Sequence, residues 1–193
     1  MADLILLSGG VDSASVLYER AVDTTRTVHA LHVQLIHLQK ADSERAAARK
    51  IAVWITTNVR PIDYHEFIFG GPVCGDGGFG LLGAMAATHI GKFPYIDTII
   101  QGTNADEDQT PDSHRRNERF ARIVEVVTDG LAPAPKIIQP HANVPKADSF
   151  WRMPKELRDL TTSCSRPVKD GETWSPCGGC ERCQILNKIK ESR

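Results

Sequence analysis

Leu7-Ser8-Gly9-Gly10-Val11-Asp12-Ser13 is the segment whose residue types and spacing point most directly to chemistry. Two adjacent glycines allow a turn tight enough for successive backbone N–H groups to converge. A helix starting at Val11 would aim its positive end at the same spot. Ser8 and Ser13 add hydroxyls, and Asp12 adds a carboxylate. Such a constellation suits a pyrophosphate group. The segment has neither the lysine-ended Walker A spacing nor the GxGxxG of a dinucleotide fingerprint.

A second constellation lies near the other end. Four of the five cysteines fall there: Cys164, Cys177, Cys180 and Cys183. A C-x2-C-x2-C run with one further cysteine upstream supplies four thiolates, the shell that a closed tetrahedral Zn²⁺ site prefers. Pro176 and Gly178-Gly179 permit the turns that such a knot needs. Iron–sulfur clusters are also held by thiolate triplets of this kind, and the spacing alone leaves that alternative open. Cys74 stands by itself in a glycine-rich stretch and reads as an unligated cysteine.

These groups must be positioned by a scaffold, and the pattern of apolar residues predicts one. Leu4–Leu7 is a continuous apolar run, as in a buried parallel strand. Val11–Arg20 reads as a helix, His29–Leu38 as a second strand, and Ala46–Trp54 as a helix capped by Asp42 or Ser43. Val59–Ile62 is the expected third strand. Phe69–Gly80, with six glycines, is an expected loop. A helix over Phe79–Ile90, a strand over Asp97–Gly102, a polar loop over Gln101–Arg116 and a helix over Asn117–Asp129 follow. Lys136–Gln139 is a fifth strand, Pro154–Leu160 a short helix and Glu181–Lys190 a basic one. Repeated strand–helix steps imply a parallel sheet with right-handed crossovers.

Composition agrees with an ordinary globular chain. Of 193 residues, 41% are hydrophobic and 24% charged, and 23 basic residues against 24 acidic ones leave a net charge of −1. No basic excess suggests non-specific nucleic-acid binding. No apolar run approaches the ~20 residues of a membrane span. The N-terminal residues lack a basic region ahead of their short apolar stretch, so the expectation is a chain without a signal peptide, in the cytoplasm.

The Ser8–Ser13 motif resembles the PP-loop signature of the ATP pyrophosphatases. That family adenylates a carbonyl or carboxyl oxygen, releases pyrophosphate, and lets a nitrogen or sulfur nucleophile displace AMP. The pairing of this motif with the C-terminal cysteines resembles one branch, the 7-cyano-7-deazaguanine synthases. Other segments fit in the same order: Ser43-Glu44-Arg45 through Ala52, Gln101 through Asp108 with Pro111-Asp112, Val144-Pro145-Lys146, and Thr161-Thr162-Ser163-Cys164. Departures lie at Val33–His37, at Gly75–Phe79 and at Thr110–Ser113, and the chain is short for that branch.

The resemblance implies an α/β fold: a Rossmann-like, adenine nucleotide alpha hydrolase-like parallel sheet flanked by helices. A PP-loop domain would span 1–160, and a zinc-binding segment over 161–193 would pack on it. ATP would sit on Leu7, Ser8, Gly9, Gly10, Val11, Asp12 and Ser13. Asp12 would help hold Mg²⁺ or orient phosphates, with Ser13 and Lys146 as the other catalytic residues. Gln101, Asn104, Asp106 and Asp112 would bind the substrate, 7-carboxy-7-deazaguanine, and Cys164, Cys177, Cys180 and Cys183 would bind Zn²⁺. The expected reaction makes a nitrile from that acid and ammonia at the expense of ATP. The expected partners are small molecules rather than nucleic acid or a membrane, and a homodimer is compatible with the reading.

Two other readings remain at this level: a PP-loop enzyme that stops at the amide or uses another amine or an RNA acceptor, and a zinc-ribbon nucleic-acid-binding module. Arg115, Arg116 and Arg119 suit either an anionic ligand or a solvated helix face. His32, His37 and His65 show no metal-ligand spacing and read as packing or surface residues. Trp54, Trp151 and Trp174 read as core residues or cover for the cysteine knot.

Overall fold

The computed structural model describes residues 1–71, 78–106, 111–130 and 134–192. Five parallel strands form the sheet: β1 (Ala2–Leu6), β2 (Thr27–Leu35), β3 (Asp63–Phe69), β4 (Ile96–Gln101) and β5 (Lys136–Ile138), in the order β3-β2-β1-β4-β5. The helices between them are α1 (Val11–Asp23), α2 (Ala41–Asn58), α3 (Phe79–Lys92) and α4 (Pro111–Val127). Two short helices follow β5, α5 (Lys146–Arg152) and α6 (Lys155–Leu160). A hairpin of β6 (Val168–Asp170) and β7 (Thr173–Ser175) and a last helix, α7 (Glu181–Glu191), complete the described chain. This is the expected Rossmann-like α/β architecture.

Alternation along the strands separates two apolar layers. Ile5, Val28, Ala30 and Ile100 pack with Val16, Leu17, Ile51 and Ile55, so α1 and α2 cover one face. Leu4, Leu31, Ile96 and Ile99 pack with Ala86, Ile90, Phe120 and Val124, so α3 and α4 cover the other. Leu157 of α6 and Ile189 of α7 belong to the first layer, which ties the C-terminal segment to the main core.

Several element boundaries differ from the sequence reading. The third strand is not Val59–Ile62 but Asp63–Phe69. Pro61 interrupts the apolar run, and β3 is an edge strand whose Asp63, His65 and Glu66 hide its pattern. The polar loop expected to reach Arg116 ends earlier, because α4 starts at Pro111. Proline suits a first helical position, where its missing N–H costs nothing. The second strand ends at Leu35 rather than Leu38. Helix α5, between Pro145 and Met153, and the β6–β7 hairpin are too short to have given a periodic signal. Most of the glycine loop expected over Phe69–Gly80, including Cys74, lies outside the described residues.

The edge strand is fastened by charge. Glu66 accepts hydrogen bonds from Arg45 at 3.0 Å, from Arg49 at 2.5 and 2.6 Å, and from Tyr64 at 2.8 Å. Burial alone would raise its carboxyl, but the bonds from Arg49, Tyr64 and Arg45 outweigh it and hold the group down at about 2. A carboxyl held below its unfolded value stabilises the fold above that value, and the contribution fades as pH falls through the folded one. Stability measured by denaturant should therefore drop between about pH 4.5 and pH 2 in part through this residue, and Glu66→Gln should flatten the profile over that window.

Candidate functional site

In a doubly wound sheet the ligand crevice opens at the carboxyl ends of the strands, where the strand order reverses. Here the reversal lies between β1 and β4, which pair in parallel as adjacent strands. The Leu7–Ser13 segment leaves β1 at that point.

The segment is a braced turn. Gly9 has φ +85°, and a Cβ there would stand 2.5 Å from the Glu44 carbonyl oxygen, so only glycine fits against α2. Ser13 Oγ accepts the Ser8 N–H at 3.1 Å and donates to the Gly10 carbonyl at 3.2 Å. Ser8 Oγ accepts the Gly10 N–H at 3.2 Å and lies 3.0 Å from Ser13 Oγ. The two hydroxyls thus hold the loop's own backbone in shape. His32 joins from β2: its Nδ1 donates to the Leu7 carbonyl at 2.8 Å. Burial keeps its imidazole below the ordinary value and neutral.

Two remote segments close on the loop. The Thr162 N–H donates to the Gly9 carbonyl at 2.9 Å. Gly102, just after β4, lies so close to α1 that a Cβ on it would be 2.5 Å from Ser13 N and 2.6 Å from Ser13 Cα. The sequence reading took Gly102 as the last residue of its strand, and nothing local names its neighbour.

Asp12, in the first turn of α1, faces Lys146 at the start of α5. Lys146 Nζ lies 2.7 Å from Asp12 Oδ2, and both side chains are largely buried, at 10% and 14% exposure. Asp12 Oδ1 is buried with no hydrogen-bond partner among the described residues. The Lys146 N–H donates to Asp106 Oδ2 at 3.0 Å, and the Asp106 N–H donates to Asn104 Oδ1 at 2.9 Å. Gln101 is held by Gln139, whose Nε2 donates to it at 2.7 Å. The structure therefore links Asp12, Lys146, Asp106 and Asn104 in one polar network beside the loop, and it puts Gln101 at the end of β4. Asp112 instead lies exposed on the first turn of α4, paired with Arg115. Glu107, Asp108 and Thr110 fall outside the described residues.

The four C-terminal cysteines converge. Their sulfurs all lie within 4.8 Å of one another, with Cys164 and Cys180 at 3.9 Å. The Cys177 N–H donates to Cys164 Sγ at 3.2 Å, and Gly178 takes φ +71° to make the turn. On their own the thiols titrate unequally: the Ser165 backbone amide pulls Cys180 down to about 6, and burial pushes Cys183 up to about 12. Zn–S bonds of about 2.3 Å place tetrahedral sulfurs about 3.8 Å apart, close to the Cys164–Cys180 separation. A four-iron cube needs a wider frame, because each thiolate binds a different iron. The tryptophans lie elsewhere or at the margin. Trp54 packs against Tyr18, Trp151 sits under Arg158, and Trp174 sits in the β6–β7 hairpin beside Lys169.

Residues 4–69, from β1 to β3, match the family model for asparagine synthase, about one third of the chain. Among solved structures, the U34-tRNA thiolase NcsA from Methanococcus maripaludis with its 4Fe–4S cluster is similar over 100% of this chain and 66% of that one. Its TM-score is 0.54 and its identity 15%, so the likeness is one of fold. This chain spans just under two thirds of that protein's length. No curated protein matches the sequence.

Three substitutions test this geometry. Gly102→Ala should cost roughly 1–3 kcal/mol in denaturant unfolding, because backbone must shift to admit the methyl group. Gly91→Ala in α3, where a Cβ meets nothing within 4 Å, should be neutral or stabilising. Cys180→Ser should remove one bound metal ion per chain by elemental analysis. It should also lower Tm by more than about 5 °C, the shift that ~2 kcal/mol produces in a chain of this size.

Proposed function

We propose that this chain is an ATP-dependent carbon–nitrogen ligase of the PP-loop ATP pyrophosphatase type. Its reaction converts 7-carboxy-7-deazaguanine and ammonia to 7-cyano-7-deazaguanine, and a structural Zn²⁺ sits on Cys164, Cys177, Cys180 and Cys183. The observation that carries the ATP reading is the buried Asp12–Lys146 pair at the N-terminus of α1, beside a turn of backbone amides at the switch point. The match of residues 4–69 to an asparagine synthase model and the fold of the thiolase support the same class of chemistry. The acceptor rests on the sequence resemblance.

The residues divide the work as follows. The amides of the loop and of the first turn of α1 take the β- and γ-phosphates, as helix N-termini take anions. The partnerless Asp12 Oδ1 is an oxygen ligand suited to Mg²⁺ carried in by ATP. The Lys146 ammonium offsets charge that builds on the departing pyrophosphate. The substrate carboxylate attacks the α-phosphorus, the bond to the β-phosphate oxygen breaks, and pyrophosphate leaves. Ammonia then displaces AMP to give the amide. In a second round the amide oxygen attacks the α-phosphorus of a fresh ATP, pyrophosphate leaves, and loss of AMP and of both protons on the nitrogen gives the nitrile. Two ATP thus yield two AMP and two pyrophosphate. The chain's own contribution is to orient the reactants and stabilise charge. Gln101, Asn104 and Asp106 line the route from β4 to Lys146 and are the proposed ring contacts, with Asp112 on the exposed side.

The zinc assignment rests on the spacing of the sulfurs. The structural neighbour's 4Fe–4S cluster makes a sulfur-transferring PP-loop enzyme the second reading.

Protein with its metal in place, incubated with ATP, Mg²⁺, ammonia and 7-carboxy-7-deazaguanine, should form the nitrile by mass, with two AMP per product. Asp12→Ala and Ser13→Ala should abolish pyrophosphate release, and Lys146→Gln should cut it about 100-fold or more. Amide accumulating with one AMP would limit the reaction to its first half. AMP formation that requires tRNA and a sulfur donor would replace this reading with the thiolase one.

A further inference from the structure

At the amino ends of β2 and β3, the opposite end of the strands from the Leu7–Ser13 turn, three imidazoles converge. His29 is the third residue of β2, His65 the third residue of β3, and His89 lies in the last turn of α3. One ring nitrogen from each comes within 4.8 Å of the others. His29 and His89 are buried, and His65 is half-buried. No pattern in the sequence joins them: 36 and 24 residues of chain separate partners that only the β2–β3 register and the packing of α3 bring together.

Their geometry is that of ligands rather than of hydrogen-bonded rings. His29 Nδ1 and His89 Nε2 face each other at 3.5 Å, longer than an ordinary hydrogen bond. Two imidazole nitrogens on one tetrahedral zinc, each at about 2.05 Å, stand about 3.3 Å apart. The other nitrogen of His29, Nε2, points at the Asp63 carboxylate, 3.6 Å away. A carboxylate behind a ligating imidazole is the usual support for such a ligand, fixing its tautomer and raising its basicity. His65 Nε2 is buried without a hydrogen-bond partner among the described residues.

We propose that His29, His65 and His89, with Asp63 behind His29, form a second metal site that binds one Zn²⁺. Three imidazoles match a borderline cation such as Zn²⁺ and would not select Mg²⁺ or Ca²⁺. A three-histidine shell leaves a fourth position open to water or another ligand. The charges facing the cluster are Asp63, which favours a cation, and Lys92, which opposes one from its place over the Phe93 ring. Phe93 and Tyr95 pack around His29, at 5.0 and 5.7 Å between ring centroids, and limit solvent on that side. An ion here would tie α3 to β2 and β3, which are already paired with each other as strands.

The test separates ligation from ring packing. Protein with its cysteine knot loaded and loose ions removed is titrated with Zn²⁺ by calorimetry. One further equivalent should bind and raise Tm. His65→Phe and His89→Phe, which keep an aromatic ring in place, should each abolish that equivalent. Asp63→Asn, at a half-exposed carboxylate, should fold normally and weaken it 10- to 100-fold. Co²⁺ taken up at the same step should give tetrahedral bands without thiolate charge transfer. No further equivalent in the parent, persistence of the equivalent in His65→Phe, or unchanged affinity in Asp63→Asn would each overturn the proposal. Should the phenylalanine variants fail to fold, Asp63→Asn and the Co²⁺ spectrum decide it.

Discussion

The amides at the start of α1 carry positive charge with no partner inside the helix, and the rest of the chain is arranged around them. A site for anions is useful only if nothing else occupies it and if its backbone does not move. Three close approaches meet both conditions. Gly9 lies against the Glu44 carbonyl, Gly102 against Ser13, and Thr162 donates to Gly9. None of these involves a large side chain, so the contacts that brace the loop are made by backbone. The serine hydroxyls are part of that bracing: they bond the loop to itself and leave the free amides to a ligand.

The Asp12–Lys146 pair sets the electrostatics of this space. Removing one member of a buried pair typically costs several kcal/mol, because the other is left charged and dry. The pair is retained where it also serves as half of a larger shell: Asp12 keeps one oxygen without a partner, and the Lys146 backbone is anchored through Asp106 to Asn104. A ligand that brings both a cation and phosphates can complete both halves at once. The cysteine knot contributes from a distance. Cys164 stands two residues beyond Thr162, so the turn that gathers the sulfurs also fixes the strand of backbone that holds Gly9.

The fold could be read from the sequence where burial forces a periodic pattern. Central strands β1 and β4 and helices α1 and α3 lay within a few residues of their expected places, because both faces of a parallel sheet must be apolar. Edge strand β3 escaped, since Asp63, His65 and Glu66 meet ion-pair and ring partners that no local window contains. The glycine loop and the cysteines could be read because their chemistry is local in sequence. Lys146 was nameable only by resemblance, and its burial against Asp12 was not visible in a segment flanked by prolines. The three histidines read as packing residues for the same reason. Their meeting depends on strand register and helix docking, which spacing along the chain does not encode.

The Asp12–Lys146 contact joins residues 134 positions apart. Chains leave the ribosome at about 5–20 residues per second, so Asp12 is made roughly 7 to 27 s before its counter-charge exists. Thr162 comes later still. The first loop to be synthesised is therefore the last to be finished. During that interval β1, α1 and β2 can pair and bury their apolar faces, but the loop has neither its lysine nor the amide that holds Gly9. A nascent chain of this protein gains its first strands well before it gains a phosphate cradle. In any chain cut short before Lys146, Asp12 would lack its counter-charge at the start of α1.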